Sequence, residues 1–131
     1  MKKRPIFQAW LMILTGIGII LFWLVFFCFH LVPENAPDCY LAFEYSFPPP
    51  DGLLALGLIS AGLLVIGNRP AGARLSLACA GGLIFLGVID ISFNIQNNIY
   101  GMGLGEFLSM AAINIWCVAF GASLLIWPVV K

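Results

Sequence analysis

The stretch FQAWLMILTGIGIILFWLVFFCFHL, residues 7–31, decides the fold because it is continuous, strongly apolar and free of Asp, Glu, Lys and Arg. A helix needs roughly 20 apolar residues to cross a hydrocarbon core about 30 Å thick, and this stretch is long enough to do so. Its apolar residues run together instead of alternating with polar ones, which argues against a strand of a membrane barrel. We therefore predict a first membrane-spanning helix here.

Three further apolar segments make an all-α, polytopic membrane protein the predicted fold class. They cover residues 52–67, 75–95 and 107–127. Hydrophobic residues make up 62% of the chain and charged residues only 9%, which is far from the composition of a soluble domain. We expect one membrane domain, residues 1–131, built as an antiparallel bundle of four transmembrane helices. The connections are an outer loop at residues 32–51, an inner turn at 68–74 and a second outer loop at 96–106.

The charges are divided between the two sides of this predicted bundle. The basic residues are Lys2, Lys3, Arg4, Arg69, Arg74 and Lys131. The acidic residues are Glu34, Asp38, Glu44, Asp51, Asp90 and Glu106. Every basic residue falls at a terminus or in the inner turn. Since connections rich in Lys and Arg stay in the cytoplasm, both termini are predicted to be cytoplasmic in a multi-pass protein of the cell (inner) membrane.

A polar cluster is predicted toward the outer side of the bundle. Asp90 and Asn94 are one turn apart on the third span and therefore share a helical face. Asn114 lies at about the same depth on the antiparallel fourth span, so we expect it to meet Asp90. Glu106 and Glu44 are expected nearer the outer water, at the mouth of the same cluster. An ionisable side chain inside a membrane is costly, so Asp90 is expected to point into the bundle.

This cluster has two interpretations. The first is a structural hydrogen bond between Asp90 and Asn114, which sets the rotation of two helices and contributes about 1 kcal/mol or less. The second is a site for a ligand or a proton, open to the outer side.

The first outer loop carries two further predictions. Asp51 stands directly before the second span and is predicted to cap its N-terminus, with a direct functional role as the alternative. Pro48-Pro49-Pro50 favours an extended, polyproline-like path. Cys28 and Cys39 lie on the same side of the bundle, where an oxidising compartment would allow them either to form a disulfide or to remain free.

The motifs that would indicate chemistry are missing from the sequence. There is no Cys-x-x-Cys, no nucleotide-binding loop and no Ser-His-Asp arrangement, and His30 is the single imidazole. We therefore predict no catalytic residue, no metal and no cofactor. With no basic surface for nucleic acid, the expected partners are the lipid bilayer and either a membrane protein partner or a second copy of the chain.

The combination Glu44-x-x-Phe47-Pro48-x-x-Asp51 with Asp90-x-x-x-Asn94 resembles uncharacterised small bacterial four-span integral membrane proteins. The resemblance extends over most of the chain and implies no activity. The function we predict is that of a non-enzymatic partner subunit or a small-ligand or lipid binder with an outward-facing polar site. One alternative is a small proton- or cation-coupled transporter that uses Asp90. Another is a membrane enzyme with thiol-redox chemistry or a lipid-soluble substrate.

Overall fold

In the computed structural model, which describes residues 3–129, every regular element is a helix. The helices are α1 (Lys3–Phe29), α2 (Tyr40–Glu44), α3 (Pro48–Ile66), α4 (Pro70–Gln96) and α5 (Leu104–Ile126), with a 3₁₀ turn at Ile99–Gly101. Four helical segments are long and apolar enough to cross a membrane: α1, α2 together with α3, α4 and α5. The predicted all-helical fold with four such segments is confirmed at this level.

The helices pack as an open series in which α1 contacts α3, α3 contacts α4 and α4 contacts α5. We call the end with residues 30–47 and 97–103 the loop end of the bundle, and the opposite end the terminal end. Lys3, Arg4, Arg69 and Arg74 all belong to the terminal end, whereas Lys2 and Lys131 lie outside the described residues. The basic side chains that the structure describes are therefore gathered at one end.

Glycines bring the backbones of neighbouring helices into close contact. A Cβ atom on Gly16 of α1 would lie 2.7 Å from the carbonyl oxygen of Ala55 on α3. A Cβ on Gly62 of α3 would lie 2.6 Å from the carbonyl oxygen of Ala9 on α1, and one on Gly121 of α5 would lie 2.8 Å from a carbonyl oxygen of α4. A Cβ on Gly72 of α4 would likewise lie 2.7 Å from the backbone nitrogen of Val65 on α3. Close backbone contacts therefore join α1 to α3, α3 to α4 and α4 to α5, as small residues permit in membrane helices.

The ends of the series, α1 and α5, meet at the terminal end. There the side-chain amide of Gln8 donates to the carbonyl oxygen of Trp127 at 2.9 Å. The guanidinium of Arg4 lies 5.3 Å from the centre of the Trp127 ring, within the range of a cation–π contact. Farther along, Trp116 Nε1 donates to Thr15 Oγ1 at 3.2 Å. These contacts hold α1 beside α5 without a close-packed interface.

The second predicted span, α3, starts at Pro48 instead of residue 52, and the extended path expected for Pro48-Pro49-Pro50 is wrong. These prolines form the first turn of α3. The first amides of a helix have no partner within it, so proline can occupy this turn without loss of a hydrogen bond. Part of the predicted loop 32–51 is also helical, since α2 lies within it. The inner turn is likewise shorter than 68–74, because α4 already begins at Pro70.

Candidate functional site

A cavity of about 680 Å³ lies among the helices, and all five helices contribute to its lining. Most of the lining side chains are apolar, among them Leu11, Leu83 and Met110. The lining also contains three acidic residues, Glu44, Asp51 and Asp90, and the neutral polar residues Thr15 and Asn114. None of the described residues in the lining is Lys or Arg. The cavity is therefore apolar along most of its surface and acidic at a few points.

The three carboxyl groups come from three helices that meet near the loop end. Glu44 ends α2 and is buried, Asp51 lies in the first turn of α3, and Asp90 precedes the end of α4 by less than two turns. Glu44 and Asp51 are both close enough to Asp90 for their charges to interact. Burial makes such repulsion stronger than it would be in water.

Asp51 is positioned by a tryptophan of the neighbouring helix. The indole Nε1 of Trp23, a buried residue of α1, donates to Asp51 Oδ2 at 2.8 Å. The other oxygen, Oδ1, is buried and has no hydrogen-bond partner within residues 3–129. The predicted cap is wrong: Phe47 is the N-cap residue of α3, and no side chain bonds the free amides there. Because the prolines lengthen the helix by a turn, Asp51 lies inside α3 and faces the cavity.

Trp23 belongs to a group of aromatic side chains at the loop end of α1. Its ring lies 5.1 Å from that of Phe22 and 5.2 Å from that of Phe26, in edge-to-face contacts. Phe22, Trp23 and Phe47 all line the cavity beside the carboxyl groups. Sequence reasoning missed Trp23 because it lies within a long apolar run. The one available signal was its indole N–H, which needs a partner when the ring is buried.

Asp90 meets the two asparagines expected from the sequence. Asn94 Nδ2 makes a long hydrogen bond of 3.4 Å to Asp90 Oδ2, and the Asn114 side chain also lies within hydrogen-bonding reach of this carboxyl group. The contact between α4 and α5 at matching depth was thus predicted correctly. Asn94 is 1% exposed, and its Oδ1 has no partner in the described part of the chain.

Asn114 has an unpredicted partner, since its Nδ2 donates to the hydroxyl of Tyr100 at 2.7 Å. The 3₁₀ turn that holds Tyr100 comes after Asn98, which adopts a left-handed backbone conformation with φ of 54°. This turn brings Tyr100 back over α5. The spacing of the sequence gives no sign of this contact.

The two predicted mouth residues take different positions. Glu44 lines the cavity, whereas Glu106 is half-buried in the first turn of α5 and does not line it. Both interact electrostatically with Tyr40, whose hydroxyl is buried without a partner among residues 3–129. Glu106 is therefore not part of the cavity lining.

Of the two outcomes left open for Cys28 and Cys39, a disulfide or free thiols, the structure has free thiols, as it does for Cys79 and Cys117. Cys39 and Cys28 are exposed, and the Cys39 thiol faces Asn97 Oδ1 at 3.5 Å. Asn97 comes directly after α4, which is separated from α1 by α3 in the packing order. Cys39 is thus directed to a different helix from the one that bears Cys28.

No group of three His, Cys, Asp or Glu side chains within residues 3–129 is close enough to hold a metal ion. The three carboxyl groups are close enough for their charges to interact, but they do not form a metal-binding group. Comparison of the chain with protein-family models, curated proteins and solved structures finds no match.

Proposed function

We propose that this chain is an integral membrane protein that binds a small amphipathic ligand, with the apolar part of the ligand in the cavity and its polar group at the carboxyl cluster. The observation that supports this most directly is the mixed lining of the cavity. Its volume of about 680 Å³ falls within the range of roughly 300–1,000 Å³ that is usual for small-molecule sites. Such sites are mostly apolar and carry a few polar groups that fix the ligand's orientation.

The charge distribution supports a definite orientation of this site. The basic residues Lys3, Arg4, Arg69 and Arg74 occupy the terminal end. If that end faces the cytoplasm, as the positive-inside rule favours, both termini are cytoplasmic and the carboxyl cluster faces the outer side. Trp10 and Trp127, both exposed, would then lie at the inner headgroup level.

Ligand entry is proposed to occur sideways, between α1 and α5. Leu14 of α1 and Ile113 and Trp116 of α5 line the cavity and are exposed, with exposed fractions of 60%, 41% and 45%. We propose that the cavity opens between these two helices, beside the hydrogen bond from Trp116 to Thr15. An amphipathic molecule dissolved in the bilayer would reach it without crossing the outer water.

A cavity-filling substitution tests the proposal. Gly18 lines the cavity, and a Cβ atom built on it has no heavy atom within 4 Å, so Gly18→Leu should fold normally and occupy space that the ligand needs. Gly81 is the matched control, because its Cβ also has open space and it does not line the cavity. The chain is extracted in native nanodiscs, and its bound small molecules are identified by mass spectrometry.

We expect a stoichiometric lipid or other small molecule on the wild type and on Gly81→Leu, and its loss from Gly18→Leu. Equal content of small molecules in all three proteins would contradict the proposal.

A cation- or proton-coupled transporter is the second candidate, supported by the unbalanced charge of the cavity. Three acidic groups line the cavity without a basic neighbour in the described lining; Glu44 is buried, and Asp51 and Asp90 are half-buried. Such an arrangement is costly unless positive charge is supplied from elsewhere. Proteoliposomes loaded with a pH-sensitive dye would report substrate-dependent proton movement. This candidate requires that Asp90→Asn abolish the movement while the purified variant remains folded.

A further inference from the structure

We infer that the ligand of this cavity is a protonated amine on an apolar body, held by its ammonium group between Asp51 and Asp90. The inference rests on the proposed binding function and specifies the chemistry of the ligand. It depends on three features of the site: its charge, the unpartnered acceptor Oδ1 of Asp51, and its aromatic walls.

The charge of the lining favours a cation over a neutral or anionic group. Glu44, Asp51 and Asp90 line one cavity, and their described neighbours in the lining include no basic residue. A cation placed among them gains attraction from each carboxyl group and relieves their mutual repulsion. An anion would add to that repulsion.

A buried oxygen atom in the lining indicates that the cation should also donate hydrogen bonds. Asp51 lines the cavity, and its Oδ1 is a buried acceptor without a partner among residues 3–129. Asn94 Oδ1 is another such acceptor, but Asn94 does not line the cavity and so lies outside this site. Leaving an acceptor unsatisfied is unfavourable. An ammonium with N–H groups satisfies Asp51 Oδ1, whereas a quaternary ammonium cannot.

The aromatic side chains provide a further surface for the same group. Phe22, Trp23 and Phe47 line the cavity together with the carboxyl groups. Cations are attracted to aromatic ring faces, and tryptophan gives the strongest of these contacts. A bare metal ion fits less well, because the acidic residues do not form a metal-binding group of three within the described chain.

The experiment uses the full chain in nanodiscs and four probes with the same alkyl chain. These are octylammonium, octyltrimethylammonium, octanol and octanoate. Binding is measured by titration calorimetry, and partitioning into empty nanodiscs is subtracted. Gly18→Leu reports whether a probe occupies the cavity, with Gly81→Leu as its control. Asp51→Asn removes one charge and keeps the shape of the side chain.

We expect octylammonium to bind at least about tenfold more tightly than the other three probes, since it alone combines a positive charge with N–H donors. Asp51→Asn should weaken octylammonium by about tenfold and leave octanol unchanged. Gly18→Leu should abolish octylammonium binding, and Gly81→Leu should not affect it.

The results that overturn the inference differ from those that overturn the proposed function. If octanol, octanoate or octyltrimethylammonium binds as tightly as octylammonium, and Gly18→Leu still prevents it, the site binds ligands but the amine assignment is wrong. An Asp51→Asn variant with unchanged octylammonium affinity has the same meaning. If no probe binds, or if Gly18→Leu and Gly81→Leu bind alike, both the inference and the proposed function are wrong.

Discussion

The hydrogen bond from Trp23 to Asp51 is expected to stabilise the folded bundle as well as to orient the site. Trp23 is 8% exposed, and its indole donates at 2.8 Å to Oδ2 of a carboxyl group whose other oxygen has no partner among residues 3–129. Hydrogen bonds to charged groups contribute about 1.5–3 kcal/mol, and a buried partner left behind is unsatisfied. Trp23→Phe should therefore lower the free energy of unfolding by about 2–4 kcal/mol once the lost ring contacts are included.

The measurement is SDS-driven unfolding in mixed micelles, monitored by near-ultraviolet circular dichroism. Trp10→Phe is the control, because Trp10 is 54% exposed and a surface change of this kind should stay within about 0.5 kcal/mol. A double-mutant cycle with Asp51→Leu isolates the hydrogen bond from the packing loss. The reasoning is refuted if the coupling free energy is near zero, or if Trp23→Phe is no more harmful than Trp10→Phe.

Three further predictions concern packing, the polar cluster and orientation. Gly62→Ala should destabilise the bundle by about 1–3 kcal/mol in the same assay, because its Cβ would meet a backbone oxygen at 2.6 Å. Gly81→Ala, whose Cβ has open space, should leave the stability unchanged. Equal stability of the two variants would contradict the packing described. Asp90→Asn should retain the unfolding free energy to within about 1 kcal/mol, since an amide preserves shape and hydrogen bonding. Asp90→Leu should lower the unfolding free energy by about 1–3 kcal/mol. If both variants match the wild type, the cluster has no structural role. In intact cells a membrane-impermeant maleimide should label the exposed Cys39 but not a lone cysteine at Arg69→Cys, and the reverse pattern would invert the proposed orientation.

The fold was predictable because each span is a long apolar run that only a helix can satisfy in a membrane. The start of α3 was not, since a run of prolines suits either an extended segment or the first turn of a helix. The residues after the prolines decide between these two conformations. Asp51 and Gly52 lead directly into the apolar run from Leu53, so the helix extends back through Pro48.

Part of the site was predictable for a similar reason. Asp90 and Asn94 share a helical face by spacing alone, and an antiparallel neighbour places Asn114 at their depth. Trp23 and Asp51 are different, because their contact depends on how α1 and α3 are rotated. In a helix that is apolar on most of its surface, the polar residues that would reveal this rotation are too few. Glycine contacts such as that of Gly16 with Ala55 set the rotation of α1 relative to α3, and these contacts can be identified only in the folded structure.

The open order of packing leaves α1 and α5 as loosely joined neighbours in the bundle. The pairs α1 with α3, α3 with α4 and α4 with α5 pack extensively, whereas α1 meets α5 through side-chain contacts such as that of Trp116 with Thr15. Trp23, the hydrogen-bond partner of Asp51, lies on α1, and Asn114, which lies beside Asp90, is on α5. A change in the separation of α1 and α5 would therefore move one partner of each carboxyl group. A ligand in contact with both helices must favour one separation, and by linkage anything that alters the separation must alter its affinity.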